Sequence, residues 1–135
     1  MARRVVIAHG SQATTLALKS MLSGFDGWTV AGVAHKVTQA LAVTEVVLPE
    51  LILLDLGLAG ENFVQVIGWM KEKHPSPTIV VLSQNRWGDL RKRCLESGAD
   101  YFCNESSPNS VAELLQELEP LHWKKGRYGL CNLSP

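Results

Sequence analysis

Short runs of consecutive apolar residues alternate with stretches in which apolar positions recur every three or four residues, and the alternation repeats five times. The runs predict strands at Arg3 to Ala8, Thr29 to Ala34, Leu51 to Asp55, Thr78 to Ser83 and Tyr101 to Cys103. The periodic stretches predict helices at Gln12 to Leu22, Val37 to Val46, Asn62 to Lys73, Asp89 to Ser97 and Pro108 to Glu119. Strands that alternate with helices belong to an α/β domain with a parallel sheet. Leu18, Met21 and Leu22 form an inward face on the first helix, and Val111, Leu114, Leu115 and Leu118 do so on the last. Pro49 and the segment His74-Pro75-Ser76-Pro77 end helices before the third and fourth strands, and Gly98 is a natural helix C-cap. The pattern stops after Glu119. Residues 1–119 therefore read as one domain and 120–135 as a tail containing Trp123, Lys124, Lys125, Arg127 and Tyr128.

The run Leu51-Ile52-Leu53-Leu54 reads as a strand buried on both faces, and Asp55 closes it. Ligands of open α/β sheets gather beyond the carboxyl ends of the strands, so Asp55 is expected in a functional crevice rather than in the core.

Composition narrows the partners. A chain of 135 residues that is 46% hydrophobic can bury the core of one domain. Its 13 basic and 13 acidic residues cancel, leaving no overall field to attract nucleic acid or an acidic membrane. Cys94, Cys103 and Cys131 lack the close pairing of a zinc knuckle or redox dithiol and are expected to be reduced thiols. The N-terminal run Val5-Val6-Ile7-Ala8 is too short for a signal peptide, and no stretch approaches the roughly 20 apolar residues of a membrane span. A cytoplasmic location is expected.

Asp55 at a strand's exit, Val80-Val81-Leu82-Ser83 on the fourth strand and Gly98-Ala99-Asp100-Tyr101-Phe102 at the fifth occur at mutually consistent spacing. In these features the chain resembles the receiver domain of bacterial response regulators, over about Arg4 to Leu118. The resemblance implies a CheY-like, flavodoxin-like (βα)5 fold: a doubly wound, five-stranded parallel sheet. It implies that Asp55 is the phosphoacceptor candidate, that Ser83 is the hydroxyl switch, and that Tyr101 is the aromatic whose rotamer reports the switched state. Where the family carries an acidic pair that holds a divalent ion, this chain has His9 and Gly10. Where the family has a lysine before proline, it has Asn104 followed by Glu105, and Ala59 and Phe63 replace the usual Pro and Gly after the acceptor.

Mg²⁺ needs hard oxygen ligands, and His9 offers a nitrogen, so Mg²⁺ binding is expected to be weak or absent and no other cofactor is implied. Phosphoryl transfer needs positive charge around the transferred oxygens, which these replacements remove. The expected function is a degenerate receiver: a non-enzymatic signalling module of a two-component or phosphorelay pathway that acts without phosphorylation. Its partner would be a signalling protein, a histidine kinase or a phosphotransfer protein, with homodimerisation open and Trp87, Arg91 and Tyr101 on the contact face. Direct DNA binding and membrane association are not expected. A phosphorylatable receiver with Asp55 as acceptor is the first alternative, and His9 within it could become a pH-sensitive partner of Asp55. The sequence Ala8-His9-Gly10-Ser11 is also similar to the opening of small tetrapyrrole chelatases, which need a second histidine, for which His74 is the candidate. Ser11, Thr14 and Thr15 could cradle a phosphate as in flavodoxins, though Ser11 is more simply an N-cap.

Overall fold

The structure, a computed structural model, describes residues 2–84, 88–105 and 108–118. Trp87 and the segment 119–135, with Trp123, Lys124, Lys125, Arg127, Tyr128 and Cys131, lie outside the described residues. Five strands, β1 (Arg3–Ala8), β2 (Trp28–Ala34), β3 (Leu51–Asp55), β4 (Thr78–Ser83) and β5 (Tyr101–Asn104), form one parallel sheet in the order β2-β1-β3-β4-β5. The helices are α1 (Gln12–Ser23), α2 (Val37–Val47), α3 (Phe63–Lys71), α4 (Gly88–Ser97) and α5 (Pro108–Leu118).

All five strands fall where the apolar runs predict them, within a residue at each end. The helix expected over Asn62 to Lys73 is shorter, and a separate helical turn, Leu56–Ala59, with a 3₁₀ turn, Gly60–Asn62, precedes it. The Asp55 carboxylate starts that extra turn by accepting from Gly57 N, and Gly60 at φ 74° ends it. A four-residue turn is too short to leave a periodic signal.

Alternate residues of each strand feed two cores. Val6, Ala8, Ile52, Leu54, Ile79, Val81 and Phe102 meet α2, α3 and α4 on one face. Val5, Ile7, Leu51, Leu53, Val80, Leu82 and Tyr101 meet α1 and α5 on the other. Chain order reverses between β1 and β3, so the crevice of a doubly wound sheet opens beyond Ala8 and Asp55.

Two glycines fix how closely helices approach. Gly32 follows a bulge, in which Val5 pairs with Val30 and Val6 with Gly32, and a Cβ on it would run into Val43 Cγ1 of α2. Gly98 adopts φ +126° after α4, where a Cβ would lie 3.2 Å from Lys71 Cβ and Cγ. Lys71 has little freedom to yield, because its Nζ donates to Pro77 O at 2.8 Å and to Asp100 Oδ2 at 2.7 Å. Gly98→Ala is therefore expected to cost about 1–3 kcal/mol from backbone strain alone, read as a lower urea midpoint with unchanged slope.

Cys94 is free and buried, and burial pushes its thiol up to about 11. Cys103 is disulfide-bonded, which corrects the expectation of reduced thiols at that position.

Candidate functional site

The loops beyond β1, β3, β4 and β5 enclose a cavity of about 680 Å³ whose lining includes His9, Gly10, Asp55, Phe63, Ser83 and Glu105. Each is there because a strand ends beside it. Ala8 and Leu54 pair across β1 and β3, so the residues that follow them, His9 and Asp55, emerge side by side. Ser83 ends β4, and Glu105 directly follows β5, with Glu105 N donating to Ser83 O at 2.8 Å.

Both oxygens of Asp55 are engaged by backbone amides: Gly10 N donates to Oδ2 at 3.0 Å and Gly57 N to Oδ1 at 2.9 Å. The carboxylate thus fastens the β1 loop to the β3 loop while its side chain stays 16% exposed to the cavity. His9 is 5% exposed, with a carboxylate near each ring nitrogen. Nε2 lies 2.7 Å from Glu105 Oε2, and Nδ1 lies 3.5 Å from Asp55 Oδ2. Ser11 N donates to Nδ1 at 3.0 Å, which requires a lone pair there and puts the proton of neutral His9 on Nε2, facing Glu105. His35 Nδ1 lies 2.9 Å from the backbone carbonyl oxygen of His9.

Burial alone would lower the His9 pKa, but the hydrogen bond that Nε2 donates to Glu105 and the charges of Asp55 and Glu105 outweigh it and raise the value above the ordinary 6.5. A histidine whose folded pKa is raised contributes stability that is complete below about 6.5 and is lost as pH rises through the higher folded value. With a chelator present, thermal stability is expected to fall over that window in the parent chain and to change less in His9→Gln. Parallel pH profiles for the two proteins would rule out this coupling.

The predicted site residues divide. His9, Gly10, Asp55 and Ser83 meet in one cavity. Asn104 is 9% exposed at the end of β5, and the residue of that pair among the described lining residues is its neighbour Glu105. Tyr101 is 6% exposed within the α1 and α5 core, while Phe102 is the β5 aromatic on the α4 side. Arg91 of α4 is half-buried rather than fully solvent-facing. His74 is exposed in the turn before β4 and is not among the described lining residues, so it does not supply the second histidine of a chelatase beside His9. The hydroxyls considered for phosphate are used locally: Ser11 Oγ accepts from Thr14 N, and Thr15 Oγ1 donates to Ser11 O.

Glu105 is the residue that strand reading undervalued. Of the Asn104-Glu105 pair that replaces the family's lysine, the member aimed into the cavity carries a negative charge. Nor do the residues fit the family's Mg²⁺ site. An imidazole and a glycine stand at the acidic pair, and among those three positions only Asp55 offers the hard oxygen that Mg²⁺ demands.

Among the described residues, no helix is long and apolar enough to cross a membrane. A putative transcriptional regulator of Pseudomonas aeruginosa is 30% identical over 112 residues, which is 83% of this chain and 53% of that protein. The nitrate/nitrite response regulator protein NarL of Escherichia coli is 31% identical over 101 residues, 74% of this chain and 47% of its own length. The chain thus spans about half the length of these curated relatives. Among solved structures, the isolated REC domain of RcsB from Salmonella enterica, determined with the phosphomimetic BeF3⁻, superposes with a TM-score of 0.79 at 18% identity, covering 95% of this chain and 92% of that one. The response regulator domain of Thermotoga maritima CheB superposes with a TM-score of 0.77 at 18% identity, covering 92% and 98%. The family model for the response regulator receiver domain matches residues 5–119, and with the five-stranded fold and Asp55 at the exit of β3, the chain belongs to the receiver-domain family of two-component response regulators.

Proposed function

We propose that this chain is a receiver module that signals by protein–protein contact without phosphorylation, is not itself an enzyme, and works in the cytoplasm with a two-component or phosphorelay protein as partner. The observation that carries the reading is Glu105 Oε2 in the acceptor cavity, 2.7 Å from His9 Nε2. Donor atoms of His9, Asp55 and Glu105 lie within 4.8 Å of one another, so a phosphoryl group on Asp55 would develop its charge beside a carboxylate. At that distance and an effective dielectric near 20, each pair of like unit charges opposes the reaction by about 3 kcal/mol. No lysine or arginine is among the described lining residues to offset it. Weak or absent Mg²⁺ binding follows from the same donor set. Contact through α4, β5 and α5, without direct DNA binding by this domain, completes the reading, and Arg91 remains a candidate on that face.

Asp55 and Ser83 do line one cavity, which favours a second reading as a phosphorylatable receiver. Amide NMR spectra during titration with Mg²⁺ and beryllofluoride, which stands in for the phosphoryl group, separate the two. No shift at Asp55, Ser83 and the α4 amides is expected. Shifts that vanish in Asp55→Asn would establish the phosphorylatable receiver instead.

A further inference from the structure

We propose that His9, Asp55 and Glu105 bind a divalent transition-metal ion of the zinc class, a different ion on a different donor set from the family's magnesium. The inference rests on the reading that this pocket no longer serves Mg²⁺-dependent phosphoryl chemistry, and it deepens that reading by giving the replaced residues a ligand.

Three observations carry it. First, the donor set is mixed: one imidazole and two carboxylates, with a donor atom of each within 4.8 Å of the others. Two donors on one tetrahedral zinc ion stand roughly 3.3–3.6 Å apart, given metal–ligand distances of about 2.0–2.2 Å, so closing each separation by no more than about 1.5 Å brings all three onto one ion. Imidazole with carboxylates suits Zn²⁺ and its first-row neighbours, whereas all-oxygen octahedra suit Mg²⁺. Second, the groups are already withdrawn from water and face one another. The His9 side chain is 6% exposed, Asp55 16% and Glu105 12%, and His9 Nε2 lies 2.7 Å from Glu105 Oε2. Third, the cavity carries a surplus of negative charge. Asp55, Glu61 and Glu105 line it, and no basic side chain does so among the described residues. A bound dication offsets two of those three negative charges; at Nε2 it takes the place of the ring proton, which shifts to Nδ1 beside Asp55 Oδ2 as the contact from Ser11 N gives way. Gly10 leaves the approach open, since even a Cβ there would lie 3.5 Å from Asp55 Oδ2, and the cavity has room for water in the remaining coordination positions.

The test uses the full chain, stripped of metal with a chelator and titrated with Co²⁺ as a visible reporter and with Zn²⁺ against a chromophoric chelator. The expected result is a d–d absorption of one nitrogen-and-oxygen site per chain, without a thiolate-to-metal band, and displacement of Co²⁺ by Zn²⁺ but not by millimolar Mg²⁺. Glu105→Gln preserves shape and removes the charge, and it should weaken binding at least tenfold, as should His9→Gln. If one variant fails to fold by circular dichroism, the other carries the test. Absence of the d–d spectrum, a thiolate band, or undiminished affinity in the folded variants overturns the metal site. Those outcomes leave the phosphorylation-independent reading standing, whereas a beryllofluoride response of the metal-free chain in Mg²⁺ overturns both.

Discussion

The triple variant His9→Asp/Gly10→Asp/Glu105→Lys is expected to respond to Mg²⁺ and beryllofluoride with amide shifts at Asp55, Ser83 and α4, where none is expected of the parent chain. The backbone already presents all four positions around one cavity, so only side-chain chemistry has to change. Gly10 tolerates the substitution, because no unusual φ holds it and a Cβ meets Asp55 Oδ2 at an ordinary 3.5 Å. Two new carboxylates beside Asp55 supply the hard oxygens that Mg²⁺ requires. Glu105→Lys reverses the sign of the nearest charge to the incoming group. Moving from repulsion to attraction at about 4–5 Å is worth roughly 6–8 kcal/mol at an effective dielectric near 20, enough for several orders of magnitude in occupancy. Glu105→Lys alone should respond weakly, since it corrects the charge but supplies no metal ligand. A silent triple variant that retains the parent's melting temperature would mean that something other than these three residues disables the acceptor.

The second large effect concerns the scaffold. Ile52→Ala is expected to lower stability by about 3–5 kcal/mol, a large share of the roughly 5–15 kcal/mol that holds a domain of this size together. Ile52 is fully buried at the centre of the sheet, paired with Val6 on one side and Ile79 on the other, and its side chain belongs to the core beneath α2, α3 and α4. Neighbours on both flanking strands prevent collapse into the space left behind. Ile52→Val, which removes a single methyl group, should cost about 0.5–1.5 kcal/mol. Urea denaturation of the three proteins decides this, and a loss below about 1 kcal/mol for the alanine variant would mean that the core relaxes around the cavity.

The sequence was most legible where burial is two-sided. Leu51-Ile52-Leu53-Leu54 and Val80-Val81-Leu82 are apolar on both faces because helices cover both, and the runs mark the strands directly. Asp55, His9 and Ser83 could be placed because each stands at the end of such a run. β5 was harder. Its four residues are all buried and two adjacent ones are aromatic, so the run carries no alternation to say which side chain faces which layer. An offset of one residue exchanges the faces. One such step separates the faces here: Phe102 packs on the α4 side and Tyr101 on the α1 and α5 side, and Glu105 is among the described cavity-lining residues. The parity is set by tertiary contacts. Asp100 Oδ2 accepts from Ile79 N at 2.8 Å and from Lys71 Nζ at 2.7 Å, anchoring the start of β5 in a way no local pattern announces.

The bulge at Ala31 bears on how copies of this chain behave at high concentration. β2 is an outer strand of the sheet, so among the described residues one row of its amides and carbonyls has no neighbouring strand, and such a row is a template on which another chain can grow. The extra residue twists that row and interrupts its regular spacing, which makes it a poor template. Deleting Ala31 would straighten the margin and would be expected to show itself first as light scattering on storage.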